Sequence, residues 1–226
     1  MTPSTARKYA TFMLFATMQF VVLTGCAMVA YAGGTQFDPT TKHYGFVHNF
    51  FSDLGTTRAY SGHPNGLSCA MFVVALVSIG VAVMGFASTW RAYAYRRARA
   101  AWLGVMSQAF GIASGLGFVG IALTPWNLVL AVHNTLVLAA FSLLLGFVVC
   151  LLLLLVLNDA ALPLMAAHAL YLVVLGGYVV LLFCGPTLET PHGHLVQCAG
   201  QKVIVYTSMI NLMFQSFTTR RLLALT

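Results

Sequence analysis

The residues that could carry chemistry are concentrated in two stretches of the chain, one around residues 48–63 and one around residues 127–133. Histidine, serine and aspartate side chains act as acids, bases and nucleophiles, and asparagine amides both donate and accept hydrogen bonds. Two pairs of these residues, His48 with Ser52 and Asn49 with Asp53, have a spacing of four that would make the partners adjacent on a helix. The candidate pocket residues are His48, Asn49, Ser52, Asp53, His63, Asn127 and His133.

A hydrolase built from these residues would need a histidine within hydrogen-bond reach of Ser52 and a carboxylate that orients that histidine. His48 could supply the first contact, but Asp53 would point about 100° away from Ser52 on the same helix. The spacing favours a binding pocket over a catalytic triad, and whether the chain is an enzyme stays open. A metal site would need ligands from distant loops, and no C-x-x-C motif occurs, so we expect neither a metal nor a cofactor.

Long apolar segments must position these residues. The chain has 226 residues, of which 60% are hydrophobic and 7% charged, whereas about 25% are charged in an average soluble domain. A helical span needs about 20 apolar residues, because only a helix or a closed barrel satisfies its backbone within lipid. We predict an all-α integral membrane bundle of six helices, a single transmembrane domain over 1–226, with spans at 9–32, 66–90, 100–123, 127–157, 160–184 and 203–219.

The distribution of basic residues predicts the orientation of the spans. Eight of the eleven lysine and arginine residues fall on the side that carries both termini, and three fall on the other side. By the positive-inside rule the basic side is cytoplasmic, so we predict a bacterial plasma (inner) membrane protein with both termini in the cytoplasm. The net charge of +7 is then a topology signal. No nucleic-acid-binding motif accompanies it, and we expect no nucleic-acid partner.

The first apolar segment contains two patterns that resemble processing signals. Residues 23–26 have the form of a bacterial lipoprotein cleavage site, and residues 30–32 have the form of a signal-peptidase site. The apolar stretch continues past Cys26, where a lipoprotein would turn polar. We therefore expect the segment to be retained as the first span.

Small and polar residues indicate how the helices pack. Gly111 and Gly115 have the G-x-x-x-G spacing that lets helix backbones approach closely, which favours a seam within the bundle over a dimer interface. Thr207, Asn211 and Gln215 recur every four residues in the sixth segment. One face of this short, polar segment must therefore point into the bundle or into water.

The cysteines are less informative. Cys184 and Cys198 flank the last outer loop, where they could form a disulfide if the outer compartment is oxidising. The sequence leaves open whether they are bonded. Cys26, Cys69 and Cys150 fall inside the apolar segments, where we expect them to act as small packing residues.

The first outer loop, 33–65, is long enough to have structure of its own. On a helix, apolar residues between 46 and 54 would share one face, and the polar candidates would lie on the other side. We predict a short amphipathic helix that lies at the outer surface or folds back over the bundle.

Three short motifs resemble those of a known family. They are the segments 49–55 (NFFSDLG), 63–65 (HPN) and 124–127 (TPWN), the last followed by His133. They are similar to an uncharacterised prokaryotic membrane family, domain-of-unknown-function family 998, within the wider FRAG/DRAM/SFK group of six-span proteins. The resemblance extends over about the first two-thirds of the chain. It implies six spans and an association with lipid remodelling, membrane-lipid asymmetry or autophagy, and it implies no particular reaction.

These observations lead to one main functional hypothesis, an outward-facing polar pocket that binds or processes a membrane lipid. The alternative is a non-catalytic accessory or scaffold subunit that contacts other membrane subunits of a larger complex. The scarcity of buried charge and the absence of a soluble domain in the sequence favour that alternative. A small transporter is disfavoured because few ionisable residues lie within the spans.

Overall fold

Helices make up the architecture of the chain. The structure is a computed structural model, and it describes residues 2–94, 101–158 and 160–222. The long helices are α1 (Pro3–Ala30), α2 (Gly66–Ala94), α3 (Ala101–Leu123), α4 (Trp126–Leu157), α5 (Leu162–Cys184) and α6 (Pro191–Leu222). A short 3₁₀ helix, Phe51–Gly55, lies in the connection between α1 and α2.

The six helices close into a ring. Each helix packs against the next one along the chain, and α6 also packs against α1. Three connections, 31–65, 124–125 and 185–190, meet at one end of the ring, which we call the loop end. There Gln36 of the first connection donates a hydrogen bond to the carbonyl oxygen of Leu188 in the third, at 3.0 Å. The candidate residues of the first loop are thereby brought close to the start of α4 and the start of α6.

Helices α1 to α5 are long and apolar enough to cross a membrane, and they correspond to the first five predicted spans. Large apolar side chains on their outer surface are exposed, among them Phe15, Val22, Leu170 and Val173. Small polar side chains such as Ser114 are buried inside the ring. An apolar exterior is what lipid requires of an integral membrane protein, since lipid tails are as apolar as leucine.

Helix α6 is longer and more polar than predicted. It begins at Pro191, well before the predicted start at residue 203, because Thr190 accepts a hydrogen bond from the Gly193 N–H at 3.1 Å and caps the first turn. Asn211 and Gln215 are buried and hydrogen-bond to each other. The predicted polar stripe therefore faces the interior of the ring.

The amphipathic helix predicted for the first loop is not confirmed. Residues 46–49 form a turn, and the helical part is the 3₁₀ helix that follows it. Phe51 and Leu54 are buried, whereas Phe46 and Val47 are exposed. The tight fold has a local cause, because Asp53 accepts a hydrogen bond from the Phe50 N–H and holds the chain in a short turn.

The sequence leaves open whether Cys184 and Cys198 are bonded, and in the structure both thiols are free. Cys184 is exposed at the end of α5, whereas Cys198 is buried in α6. The Cys198 sulfur lies 3.3 Å from Nε2 of His194 on its own helix. The two cysteines therefore face different environments.

Glycines allow α2 and α3 to pack closely. A Cβ atom on Gly80 of α2 would lie 2.6 Å from the carbonyl oxygen of Gly115 of α3. Gly111, one turn earlier in α3, faces Ala87 of α2. Both glycines of the G-x-x-x-G spacing thus lie in a seam within the bundle, which is the arrangement that the sequence favoured.

The seam makes a prediction about stability. Gly80→Ala should lower the free energy of unfolding by about 1–3 kcal/mol, because the new methyl group would overlap the backbone of α3. Gly176→Ala is the matched control, since a Cβ there meets open space and raises helix propensity by up to about 1 kcal/mol. Thermal unfolding of both variants in the same detergent measures the difference. Equal destabilisation by the two substitutions would contradict close packing at Gly80.

Candidate functional site

The first loop, 31–65, folds over the loop end of the ring. Gly33 and Gly34 have φ angles of 94° and 86°, which L side chains rarely adopt. The Gly34 N–H donates to the Thr41 carbonyl at 2.8 Å, and the Ser61 N–H donates to the Gly33 carbonyl at 3.1 Å. The two glycines thus join distant parts of the loop. The 3₁₀ helix within it contacts α1, α2, α4 and α6, so it lies across the end of the ring.

The carboxylate of Asp53 is the centre of this arrangement. It is 1% exposed, and it accepts three hydrogen bonds. Oδ2 accepts from the Phe50 N–H at 2.8 Å and from Nδ2 of Asn49 at 3.0 Å. Oδ1 accepts from Nε1 of Trp126, the first residue of α4, at 3.0 Å. The carboxylate therefore stabilises its own turn and ties that turn to α4.

Burial changes the acidity of this group. Removal from water raises the pKa of Asp53 from 3.8 to about 6, because burial disfavours the charged form. The hydrogen bonds from Asn49, Phe50 and Trp126 and the positive charge of Lys202 act in the opposite direction. Asp53 thus changes its charge within a range of pH that cells encounter.

Lys202 ties α6 to the same loop. Its side chain is buried, and Nζ donates to the carbonyl oxygen of Asn49 at 2.6 Å. The ammonium group also lies 4.7 Å from the ring centroid of Phe51 and 5.3 Å from that of Tyr44, distances at which a cation is attracted to an aromatic face. The amide of Asn49 in turn donates to Asp53, so Lys202 stabilises the carboxylate through the loop.

His133 lies in α4, and a hydrogen bond determines the orientation and the tautomer of its imidazole ring. Nδ1 is 2.6 Å from the carbonyl oxygen of Thr124, and a carbonyl oxygen can only accept, so Nδ1 carries a proton. In the neutral ring Nε2 is then an acceptor. It is buried and has no hydrogen-bond partner in the structure, and the whole side chain is 3% exposed. A buried acceptor without a partner is costly, so a ligand that donates to Nε2 would be favoured.

Asp53 and His133 both line one cavity at the loop end, with a volume of about 440 Å³. Ligand pockets typically have volumes of about 300–1,000 Å³. Its polar lining residues are Gln36, Ser52, Asp53, Tyr60, Trp126, His133, Asn134, Tyr178, Gln197 and Gln201. Its apolar lining residues are Phe50, Leu130, Val137, Leu138, Leu182 and Leu188. The lining thus offers both polar groups and apolar surface to a ligand.

The structure brings three of the seven candidate residues to this cavity, namely Ser52, Asp53 and His133. Asn49 is buried beside Asp53 and supports it. Asn127 binds the first loop elsewhere, since its side chain pairs with the backbone N–H and the hydroxyl of Thr57.

The remaining two candidates, His48 and His63, are exposed and line neither this cavity nor the one described below. His48 takes part through its backbone, because its carbonyl oxygen lies 3.0 Å from Nε2 of His194. Asn49 and Asp53 are joined by a hydrogen bond, although not on the continuous helix from which their adjacency was predicted. The side chains of His48 and Ser52 form no hydrogen bond with each other.

The arrangement is not that of a catalytic triad. Within the residues that the structure describes, the Ser52 hydroxyl makes no hydrogen bond to a histidine. In the same part of the chain, no group of three or more His, Cys, Asp or Glu side chains is placed to hold a metal ion. The residues that line the cavity include a buried carboxylate, a histidine whose Nε2 is buried without a partner, and several amides.

Sequence reasoning missed several residues that build the site. Gln201 accepts the Phe51 N–H at 2.6 Å, and Asn65 donates to the carbonyl oxygens of Leu54 and Thr56 at 3.2 and 3.1 Å. In the sequence, Lys202 is one of the three basic residues assigned to the side opposite the termini, and no further role is predicted for it. A signal was present, because a lysine that directly precedes an apolar segment must either reach water or find buried partners.

Comparison with known proteins adds no relative. No family model, no curated protein and no solved structure matches this chain.

The acidity of Asp53 predicts how stability depends on pH. Because its pKa is raised on folding, the native state binds the proton more tightly than the unfolded state between pH values of about 4 and 6. Protonation of Asp53 therefore contributes up to about 3 kcal/mol to the free energy of unfolding. This contribution is fully present below about pH 4 and is lost as the pH rises through about 6. Asp53→Asn should remove this loss. The measurement is the free energy of unfolding of both proteins across that range in one detergent.

Asp38→Asn provides the control, since Asp38 is an exposed carboxylate of the same loop. This variant should retain the decrease in stability between pH 4 and 6 that the Asp53 substitution removes. If the free energies of unfolding of the wild type and of Asp53→Asn differed by the same amount at every pH, a raised pKa of Asp53 would be contradicted.

Proposed function

We propose that this chain is a six-span membrane protein whose loop-end cavity binds the polar head of a membrane lipid. The observation that carries the proposal is that two residues, Asp53 and His133, line the same cavity. Asp53 is a buried carboxylate, and His133 presents a buried nitrogen that has no partner. The motif resemblance to an uncharacterised membrane family, within a wider group associated with lipid remodelling, agrees with this function.

Helix α6 supports the sixth span. Apolar side chains are exposed on its outer surface, among them Val203, Ile210 and Phe217, while Asn211 and Gln215 are buried within the ring. This is the polarity expected of a helix with lipid on one side and a polar interior on the other. An even number of spans places both termini on the same side of the membrane.

The basic residues support the orientation. In the sequence, Arg7, Lys8, Arg220 and Arg221 are near the two ends, and four further arginines, at 91–99, fall between the second and third predicted spans. Of these four, Arg96, Arg97 and Arg99 lie outside the described residues. The positive-inside rule places this end in the cytoplasm. The loop end, and with it the cavity, then faces outward, as expected for a protein of the bacterial inner membrane.

The chemistry of the cavity indicates the kind of head group. Asp53 in its ionised form and Nε2 of His133 can only accept hydrogen bonds. The amides of Asn134, Gln197 and Gln201 can both donate and accept. The head group should therefore supply donors, as a hydroxyl or an amine does. Leu130, Leu182 and other apolar side chains of the same cavity would contact the adjoining hydrocarbon.

The geometry favours binding over processing. The Ser52 hydroxyl lines the cavity, but a nucleophilic serine needs a base within hydrogen-bond reach, and Ser52 has no hydrogen bond to a histidine in the described residues. Asp53 and His133 are better placed to hold a ligand than to activate Ser52. The proposal is therefore a lipid-binding protein.

The proposal predicts that bound lipid depends on His133. Purification in a mild detergent followed by lipid extraction and mass spectrometry should detect a lipid at fixed stoichiometry. His133→Ala should weaken lipid binding about tenfold, because losing one hydrogen bond to a buried group costs about 1.4 kcal/mol. His63→Ala is the matched control, since His63 is exposed at the same end and lines no cavity. Its lipid content should equal that of the wild type.

Equal lipid content in all three proteins would rule out the head-group site. If the chain then co-purified with other membrane proteins at fixed stoichiometry, the accessory-subunit hypothesis would take its place.

A further inference from the structure

A second cavity lies within the ring of helices. Its volume is about 70 Å³, and five of the six helices contribute to its wall. Its apolar lining residues include Phe20, Leu76, Ile79, Phe118, Phe141 and Leu144, from α1 to α4. Three of its lining residues, Ser52, Gln201 and Ser208, are polar. The Ser208 hydroxyl donates to the Ile204 carbonyl at 2.7 Å, and the side-chain oxygen of Gln201 accepts from the Phe51 N–H. An apolar cavity of this kind does not hold water.

The two cavities adjoin each other. Ser52, Val137 and Gln201 line both of them. Gln201 is held in place by the hydrogen bond that it accepts from the Phe51 N–H at 2.6 Å. The boundary therefore consists of one turn of the 3₁₀ helix, one residue of α4 and one residue of α6.

Taken together, the two cavities have the polarity of a lipid, because one is partly polar and the other is apolar. Asp53 and His133 lie in the larger cavity at the loop end, and the apolar cavity continues from it into the interior of the ring. A ligand that filled both would have a polar group at one end and a hydrocarbon portion at the other. A small polar molecule would fill the first cavity alone and leave the second one empty.

We propose that the ligand is a lipid with one acyl chain held inside the ring, so that its head occupies the loop-end cavity and part of its chain enters the apolar cavity. The inference rests on the proposed head-group site and adds the place and class of the hydrophobic part. The apolar cavity is smaller than the cavity of about 150 Å³ that accommodates benzene. It therefore fits a narrow, unbranched chain and excludes a sterol ring system.

The experiment uses monoacylglycerols of increasing chain length, from butanoyl to palmitoyl, as probes of the purified full-length protein. The readout is the apparent affinity from the probe-dependent rise in melting temperature. In the wild type, affinity should rise about fourfold for each added methylene group, which corresponds to about 0.8 kcal/mol, until the apolar cavity is full. Longer probes should then gain little.

Val137→Phe would place a ring at the boundary of the two cavities. It should abolish the gain in affinity with chain length. Val173→Phe is the matched control, because Val173 is 72% exposed on the outer surface of α5. This control should behave like the wild type.

A second variant is needed because misfolding of Val137→Phe could also abolish the gain in affinity with chain length. Phe141→Leu enlarges the apolar cavity, and it should move the plateau to longer chains, a gain that an unfolded protein could not produce. A chain-length profile unchanged in both Val137→Phe and Phe141→Leu would overturn the inference. The head-group site would survive that result if His133→Ala still weakened the shortest probe, and it would fail if His133→Ala had no effect.

Discussion

The buried carboxylate of Asp53 is the interaction on which the loop end depends. A carboxylate removed from water is costly unless hydrogen bonds replace its hydration. Here the replacements come from its own turn, through Asn49 and Phe50, and from α4, through Trp126. Lys202 adds α6 by binding the carbonyl of Asn49. Because these donors belong to separate elements, the loop, α4 and α6 must come together for the carboxylate to be buried.

This network also explains why a cavity exists beneath the loop. The 3₁₀ helix is fixed by Asp53 at one point and by the bond from Phe51 to Gln201 at another. It spans the end of the ring without filling the space below it. His133 is held by Thr124 with Nε2 unpaired, so the orientation of this imidazole does not depend on a ligand. A preorganised site of this kind binds a ligand with less loss of entropy.

Much of the fold could be predicted from sequence. The five helices that are long and apolar enough to cross a membrane follow from length and hydropathy. The contact between Asn49 and Asp53 arises from a tight turn and not from the helix that their spacing suggested. The start of α6 could not be predicted from hydropathy, because residues 191–202 include polar side chains that bond to the first loop, as those of His194, Gln201 and Lys202 do. The amphipathic loop helix is not confirmed, since a single carboxylate bonding back to Phe50 imposes a tight turn that hydrophobic periodicity does not reveal. The bonding of Cys184 and Cys198 was open from the sequence, because only the packing of α6 decides that Cys198 is buried while Cys184 is exposed.

The sequence by itself determined that helices of membrane-spanning length exist and which residues could do chemistry at one end of them. Those properties depend on local composition, and a bilayer acts on each segment separately. Only the tertiary structure decided which candidates share a cavity. Asp53 and His133 are far apart in the chain, and His48 is closer to Asp53 in sequence yet points to solvent. The reason is that a pocket is formed by packing between elements, and that packing follows from where each buried polar group finds its partners.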